Sequence, residues 1–150
     1  MKSRLTHKVK LAVMAPLFIS FISLAARSQP AALQIDHSKV EAAFTKGIPL
    51  FETNRFKIHA SRRDSPGLAE IHTRDTDIVY VLEGDATLVT GGKGVQTNTI
   101  APDEIRGSAI EGGQVRHIAK GDVIVIPNGV PHWFKEVSSP LLNYVVKVTQ

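Results

Sequence analysis

From Arg55 to the C-terminus, the sequence alternates between apolar and polar residues with a period of two. Because successive side chains of a strand point to opposite faces, this alternation predicts half-buried β-strands. Turn-forming residues such as Gly84, Gly121 and Gly129 separate the alternating segments. No segment with helical periodicity is long enough to cross between parallel strands, so we expect an all-β chain in an antiparallel sandwich or barrel. The predicted strands are Arg55–Ser61, Leu68–Thr73, Ile78–Leu82, Ala86–Thr90, Val115–Ala119, Val123–Ile126, His132–Val137 and Leu141–Val148.

The segment Gly91–Gln114 breaks this rhythm, because six glycines interrupt it. A long, glycine-rich excursion in a small domain is usually a functional lid or an irregular hairpin. We interpret it as a hairpin arm, with a lid as the alternative. Arg106 lies in this arm and is expected to be solvated, although an arginine here would also suit a substrate carboxylate.

A short helix is predicted before the strands, within a linker region that spans residues 29–54. Ser38 and Glu41 have the spacing of a capping box, and Val40, Ala43 and Phe44 form one apolar face. Gly47 would end the helix after about two turns.

The first 28 residues have the pattern of a secretory signal peptide. A basic stretch precedes the apolar run Leu11–Ala26, and small residues offer cleavage sites after Ala25, Ala26 or Ser28. At about 1.5 Å per residue, this run spans roughly 24 Å, less than the ~30 Å of a bilayer core. We therefore expect a periplasmic or secreted protein that leaves the membrane after cleavage, with an uncleaved anchor as the alternative.

The charge of the chain argues against a nucleic-acid partner. The whole sequence has 18 basic and 14 acidic residues, but five of the basic residues and none of the acidic ones lie in residues 1–28. The remaining 13 basic and 14 acidic residues give a net charge of −1, without the positive excess of nucleic-acid-binding proteins. The chain also has no cysteine, which excludes disulfides, thiolate metal ligands and a cysteine nucleophile.

Histidines and carboxylates are predicted to converge on one face of the sheets. Glu70 and His72 are two residues apart and project from the same face of a strand, and His132 begins a strand after a Pro-x-Gly turn. Imidazole nitrogens and carboxylate oxygens together suit a divalent metal ion. His59 lies on the opposite face of its strand from Phe56 and Ile58, so we expect it to be solvated.

Two motifs in this region resemble those of the cupin family. The second cupin motif, Gly-x5-Pro-x-Gly-x2-His, is matched by Gly121, Pro127, Gly129 and His132, and only its trailing Asn is replaced, by Glu136. The first motif is altered. It retains its second histidine as His72 and its final glycine as Gly84. Three positions are replaced: Glu70 stands in place of the first histidine, Asp77 in place of the glutamate, and Asp64 in place of the opening glycine, with Gly67 nearby.

This resemblance implies a fold and a metal. The fold is a single-domain double-stranded β-helix (jelly-roll) barrel over residues 55–150, similar to the small cupin-2 type. The metal would be Fe, Mn, Ni or Zn, with Glu70, His72, Asp77 and His132 as the ligand set. Either both carboxylates bind the metal, or one joins the two histidines in a facial triad and the other acts as a general base. Asp77 is one methylene shorter than the usual glutamate, a deficit in reach of roughly 1.3 Å.

From these features we expect an exported, metal-dependent cupin enzyme that acts on a small organic molecule. The reaction would be of the oxygenase, isomerase or lyase type, with Glu70 or Asp77 as the catalytic residue that moves a proton. The alternative is a non-catalytic barrel that binds or senses a small ligand. A homodimer formed through edge strands is compatible with both.

Overall fold

One α-helix and thirteen β-strands form the part of the chain, residues 31–150, that the computed structural model describes. The predicted signal peptide, residues 1–28, lies outside the described residues, and the compact unit spans Leu33–Gln150. The elements are α1 (His37–Lys46), β1 (Pro49–Glu52), β2 (Phe56–Arg63), β3 (Ala69–His72), β4 (Asp75–Glu83), β5 (Asp85–Thr90), β6 (Lys93–Val95), β7 (Asn98–Ala101), β8 (Glu104–Gly107), β9 (Ala109–Glu111), β10 (Gln114–Ala119), β11 (Val123–Ile126), β12 (His132–Val137) and β13 (Leu141–Thr149).

Apart from the two-stranded pair β6-β9, the strands form two antiparallel sheets, as the period-two alternation predicts. One sheet has the order β1-β2-β13-β4-β11 and the other has the order β10-β5-β12-β3-β8-β7. A hydrophobic core of residues from both sheets includes Val79, Val81, Leu88, Phe134 and Leu141. This is the expected all-β jelly-roll architecture. Within residues 31–150, the sheet edges are β1, β7, β10 and β11, and the homodimer through edge strands stays a prediction.

The interior of the barrel is apolar at one end and polar at the other. Along the inner face of β4, the alternate residues change from Val81 and Val79 to Asp77 and Asp75. On β13, Lys147 pairs in register with Asp77 of β4. Because apolar and charged residues occupy opposite ends of the inner face of β4, the same sheets form the core at one end and a charged site at the other.

The helix α1 packs on the outer face of the five-stranded sheet. Ala43 is buried, and the ring of Phe44 meets that of Tyr144 edge-on at 5.0 Å between centroids. The predicted capping box is wrong: Asp36 is the N-cap, its carbonyl accepts the first helical hydrogen bonds, and Ser38 already lies inside the helix. Gly47 ends the helix in a left-handed conformation, as predicted.

The segment Gly91–Gln114 forms a hairpin arm, in agreement with its interpretation from the sequence. Strands β6 and β9 pair at its base, and β7 pairs with β8 further along. Strand β8 then pairs with β3, so that Arg106 lies opposite Glu70. The arm therefore extends the six-stranded sheet and brings a charged residue to the polar end of the barrel.

Within residues 31–150, no helix has both the length and the apolar character needed to cross a membrane.

We predict that Gly84→Ala destabilises the protein more than Gly129→Ala. Both glycines have positive φ, +80° and +76°, so a side chain at either position costs about 1–2 kcal/mol of backbone strain. At Gly84, a Cβ would also lie 2.6 Å from the backbone oxygen of Pro140, whereas the space beside Gly129 is open. Urea denaturation of the two variants measures the difference, and equal losses in the free energy of unfolding would contradict this packing.

Candidate metal centre

The four predicted site residues lie together at the polar end of the barrel. Glu70 and His72 come from β3, His132 comes from β12, and Asp77 comes from β4 of the opposite sheet. All four are buried, with relative exposures of 2–8%. His132 pairs in register with Glu70, so the first and second motifs meet directly across two neighbouring strands.

The two histidines face the two carboxylates. The Nε2 atom of His72 lies 3.5 Å from Oε2 of Glu70 and 3.5 Å from Oδ2 of Asp77. The Nε2 atom of His132 lies 3.8 Å and 3.9 Å from the same two oxygens. These separations leave the nitrogens and oxygens converging on one point, as the ligands of a cation do.

The hydrogen bonding of the imidazoles fits a metal ion. Nδ1 of His132 lies 3.2 Å from the carbonyl oxygen of Val130, so donation from Nδ1 leaves the Nε2 lone pair directed into the site. The buried Nε2 of His72 has no hydrogen-bond partner among residues 31–150. Buried polar atoms are rarely left unpaired, and a metal ion would satisfy both nitrogens.

The carboxylate of Glu70 divides its two oxygens between arginines and histidines. Nη2 of Arg63 donates to Oε1 at 2.8 Å, and Nη1 of Arg106 lies 2.5 Å from the same atom. Burial raises the pKa of this carboxyl, but contacts with His132 and His72 and the charges of Arg63 and Arg106 outweigh it and hold the pKa well below its usual range. The lowered pKa keeps Glu70 in its ionised form, which is the form that binds a cation.

Asp77 is held by a lysine. Nζ of Lys147 donates to both carboxylate oxygens of Asp77, at 2.8 and 2.7 Å. A metal ion at Asp77 would have to compete with this ammonium group. Among residues 31–150, Glu70, His72 and His132 form a set whose donor atoms all lie within 4.8 Å of one another. The structure therefore favours two histidines and one carboxylate as the ligands, and the roles of Glu70 and Asp77 stay predictions.

Two polar residues occupy positions that differ from those expected. His59 is not simply solvated: its side chain is 27% exposed, it lines the barrel interior, and its Nε2 atom lies 3.1 Å from Glu52. As predicted, His59 lies on the opposite face of β2 from Phe56 and Ile58. At this end of the barrel, however, that polar face is turned towards the interior. Arg106 is not a solvated charge either, because it pairs with Glu70 and Glu104.

Two cavities flank the candidate metal centre. One, of about 380 Å³, is lined by residues that include Arg63, Glu70 and Asn143. The other, of about 440 Å³, lies towards Arg74 and Pro102. The side chains that line both are His59, His72, Glu104 and Lys147. Cavities of this size suit small molecules rather than polymers.

Comparison with known proteins gives a family model and several solved structures. A family model described as Cupin matches residues 24–150. A protein from Bacillus halodurans is similar at a TM-score of 0.55 and 16% identity, with 85% of each chain covered. An uncharacterized protein from Klebsiella pneumoniae with a double-stranded β-helix domain has a TM-score of 0.50 and 18% identity, over 73% of this chain and 86% of that one.

KdgF from a Halomonas species has a TM-score of 0.49 and 15% identity, over 68% of this chain and 77% of that one. No significant match was found among curated protein sequences. At these identities, the structural similarities show the fold alone.

We predict that Glu70→Gln lowers the free energy of unfolding by about 3 kcal/mol, because it leaves Arg63 largely buried without its counter-charge. Exposed Glu136 accepts a hydrogen bond from Thr87, and Glu136→Gln serves as a matched control with an effect below about 0.5 kcal/mol. Chemical denaturation in the presence of EDTA separates this electrostatic effect from any contribution of metal. Equal stability of the two variants would show that the Glu70 ion pairs contribute little to folding.

Proposed function

The chain belongs to the cupin family, and on that premise we propose that it is a metal-dependent enzyme that acts on a small organic molecule. The observation that supports this proposal is the buried cluster of Glu70, His72 and His132, with both Nε2 atoms facing one carboxylate oxygen. Two histidines and one carboxylate leave further coordination positions of a metal free for a substrate. Oxygenation, isomerisation and elimination are the reaction classes that this arrangement serves.

Glu70, His72 and His132 would hold the metal, which is Fe, Mn, Ni or Zn. When bound, such an ion supplies a Lewis acid that polarises a substrate oxygen. The carbonyl of Val130 orients His132, and Arg63 and Arg106 orient Glu70 through its other oxygen. Oδ2 of Asp77 faces both histidines, and Asp77 would accept a substrate proton, while Lys147 would position this carboxylate.

A non-catalytic barrel that binds a small ligand is the second candidate. The observation in its favour is that the protein already neutralises its own carboxylates. Arg63 and Arg106 pair with Glu70, and Lys147 pairs with Asp77, so the site does not need a metal ion for charge balance.

Elemental analysis of the purified protein tests the metal-dependent candidate. We expect about one Fe, Mn, Ni or Zn ion per chain in the wild type, and less than a tenth of that in His72→Ala/His132→Ala, because two of the three ligands are gone. The matched control is His37→Ala/His117→Ala, since both of these histidines are exposed. Circular dichroism verifies that each variant is folded. If the wild type contains no metal even after reconstitution, the metal-dependent enzyme is ruled out and the ligand-binding barrel remains.

Export of the protein is part of the same proposal, and it rests on the pattern of residues 1–28 alone. Expression of the full chain in a bacterium should yield a periplasmic protein whose mass matches cleavage after Ala25, Ala26 or Ser28. Intact-mass spectrometry of the osmotic-shock fraction makes the measurement. A full-length mass in the membrane fraction would instead identify an uncleaved anchor.

A further inference from the structure

Asn143 is a buried polar residue that the proposed reaction does not use. It lies on β13 with a relative exposure of 1%, and it is one of the residues that line the cavity of about 380 Å³, as Glu70 is. Neither Nδ2 nor Oδ1 has a hydrogen-bond partner among residues 31–150. An unpaired amide in a protein interior costs stability, so a residue of this kind needs a reason to be there.

Arg63, which lines the same cavity, also has an unpaired donor. Its Nη2 atom is bound to Glu70, and its guanidinium group stacks over the ring of Phe134, with Cζ 4.4 Å from the ring centroid. The buried Nε atom has no partner among the described residues. Because the ring and Glu70 fix the guanidinium plane, its Nε–H is held in one direction and would bind an acceptor with little loss of entropy.

Together, these groups define what a ligand must offer. The Nε–H of Arg63 and the Nδ2–H of Asn143 need acceptors, and a carboxylate has two acceptor oxygens. The Oδ1 atom of Asn143 needs a donor, which a carboxylate does not have. A hydroxyl group on the same ligand would provide it.

The charge of the cavity also selects an anion. Arg63, Arg106 and Lys147 offset the carboxylates of Glu70, Asp77 and Glu104, so three cations face three anions. Arg62 also reaches this cavity, but its charge is matched by Asp64. A divalent metal held as proposed above would leave two uncompensated positive charges beside this cavity. An anionic ligand with two negative charges would restore the balance.

We propose that this cavity binds a small hydroxy-carboxylic acid, with Asn143 as the residue that selects the hydroxyl group and Arg63 as a ligand of the carboxylate. This assignment deepens the function proposed above and rests on it for the preference for two negative charges. The unpaired atoms of Asn143 and Arg63 support the hydroxyl and the carboxylate independently of any metal.

Isothermal titration calorimetry with L-malate, D-malate and succinate tests this assignment on the metal-reconstituted protein. Malate and succinate differ only by one hydroxyl group. We expect the wild type to bind one malate enantiomer about tenfold more tightly than succinate, as one additional hydrogen bond predicts. Asn143→Leu, of similar volume, should bind malate and succinate equally. It should also have a higher Tm without ligand, because no amide is left unpaired.

The matched control is Asn98→Leu on the exposed strand β7, which should retain the preference for malate. If the leucine at position 143 prevents folding, Asn143→Ala makes the same test with a smaller side chain. A preference for malate that survives in the folded Asn143 variant overturns the proposal, as does a metal-loaded wild type that binds neither acid. In the second case, the metal-dependent function stands. A wild type that prefers malate through Asn143 but holds no metal supports this inference and overturns the metal-dependent function.

Discussion

The buried carboxylate of Glu70 joins the principal parts of this molecule. It lies on β3, accepts from Arg63 of β2 in the opposite sheet, and pairs with Arg106 of the arm. Its other oxygen faces His72 and His132. A buried charge is tolerated only where it is compensated, so both sheets and the arm must be in place before the site exists. The arm thus supplies one of the charges on which the site depends.

The apolar core and the candidate metal centre occupy different ends of the same barrel. The apolar cluster around Val79, Val81 and Leu88 buries the hydrophobic surface on which folding depends. Two residues further along β4, the same inner face carries Asp77, whose charge is matched by Lys147. Asn143 pairs in register with Val81, and its side-chain amide has no hydrogen-bond partner among the described residues. A residue with this cost is expected at a functional site, where stability is given up for recognition.

Much of the fold could be predicted from period-two alternation, and the failures have physical causes. The bounds of β11 and β12 were predicted correctly, because each is a clear apolar or alternating run between turn residues. The strands of the arm and β1 were missed, because the glycines of residues 91–114 and the proline that begins β1 interrupt the alternation. The helix was predicted, but Ser38 was assigned as its cap because local sequence does not show which of two neighbouring polar residues begins the first turn.

The sequence by itself determined the candidate metal site. Glu70 and His72 are two residues apart on one strand, and His132 follows a turn at the start of another. In any barrel of this type, this spacing places the three side chains on inner faces. Only the tertiary structure decided which cations surround them. Arg63, Arg106 and Lys147 come from three strands that are distant in the sequence. In the sequence, the polar residues of each strand look like those of an ordinary solvent-exposed face. Alternation shows which residues share a face, but whether a polar face lies inside is decided only when the two sheets close on each other.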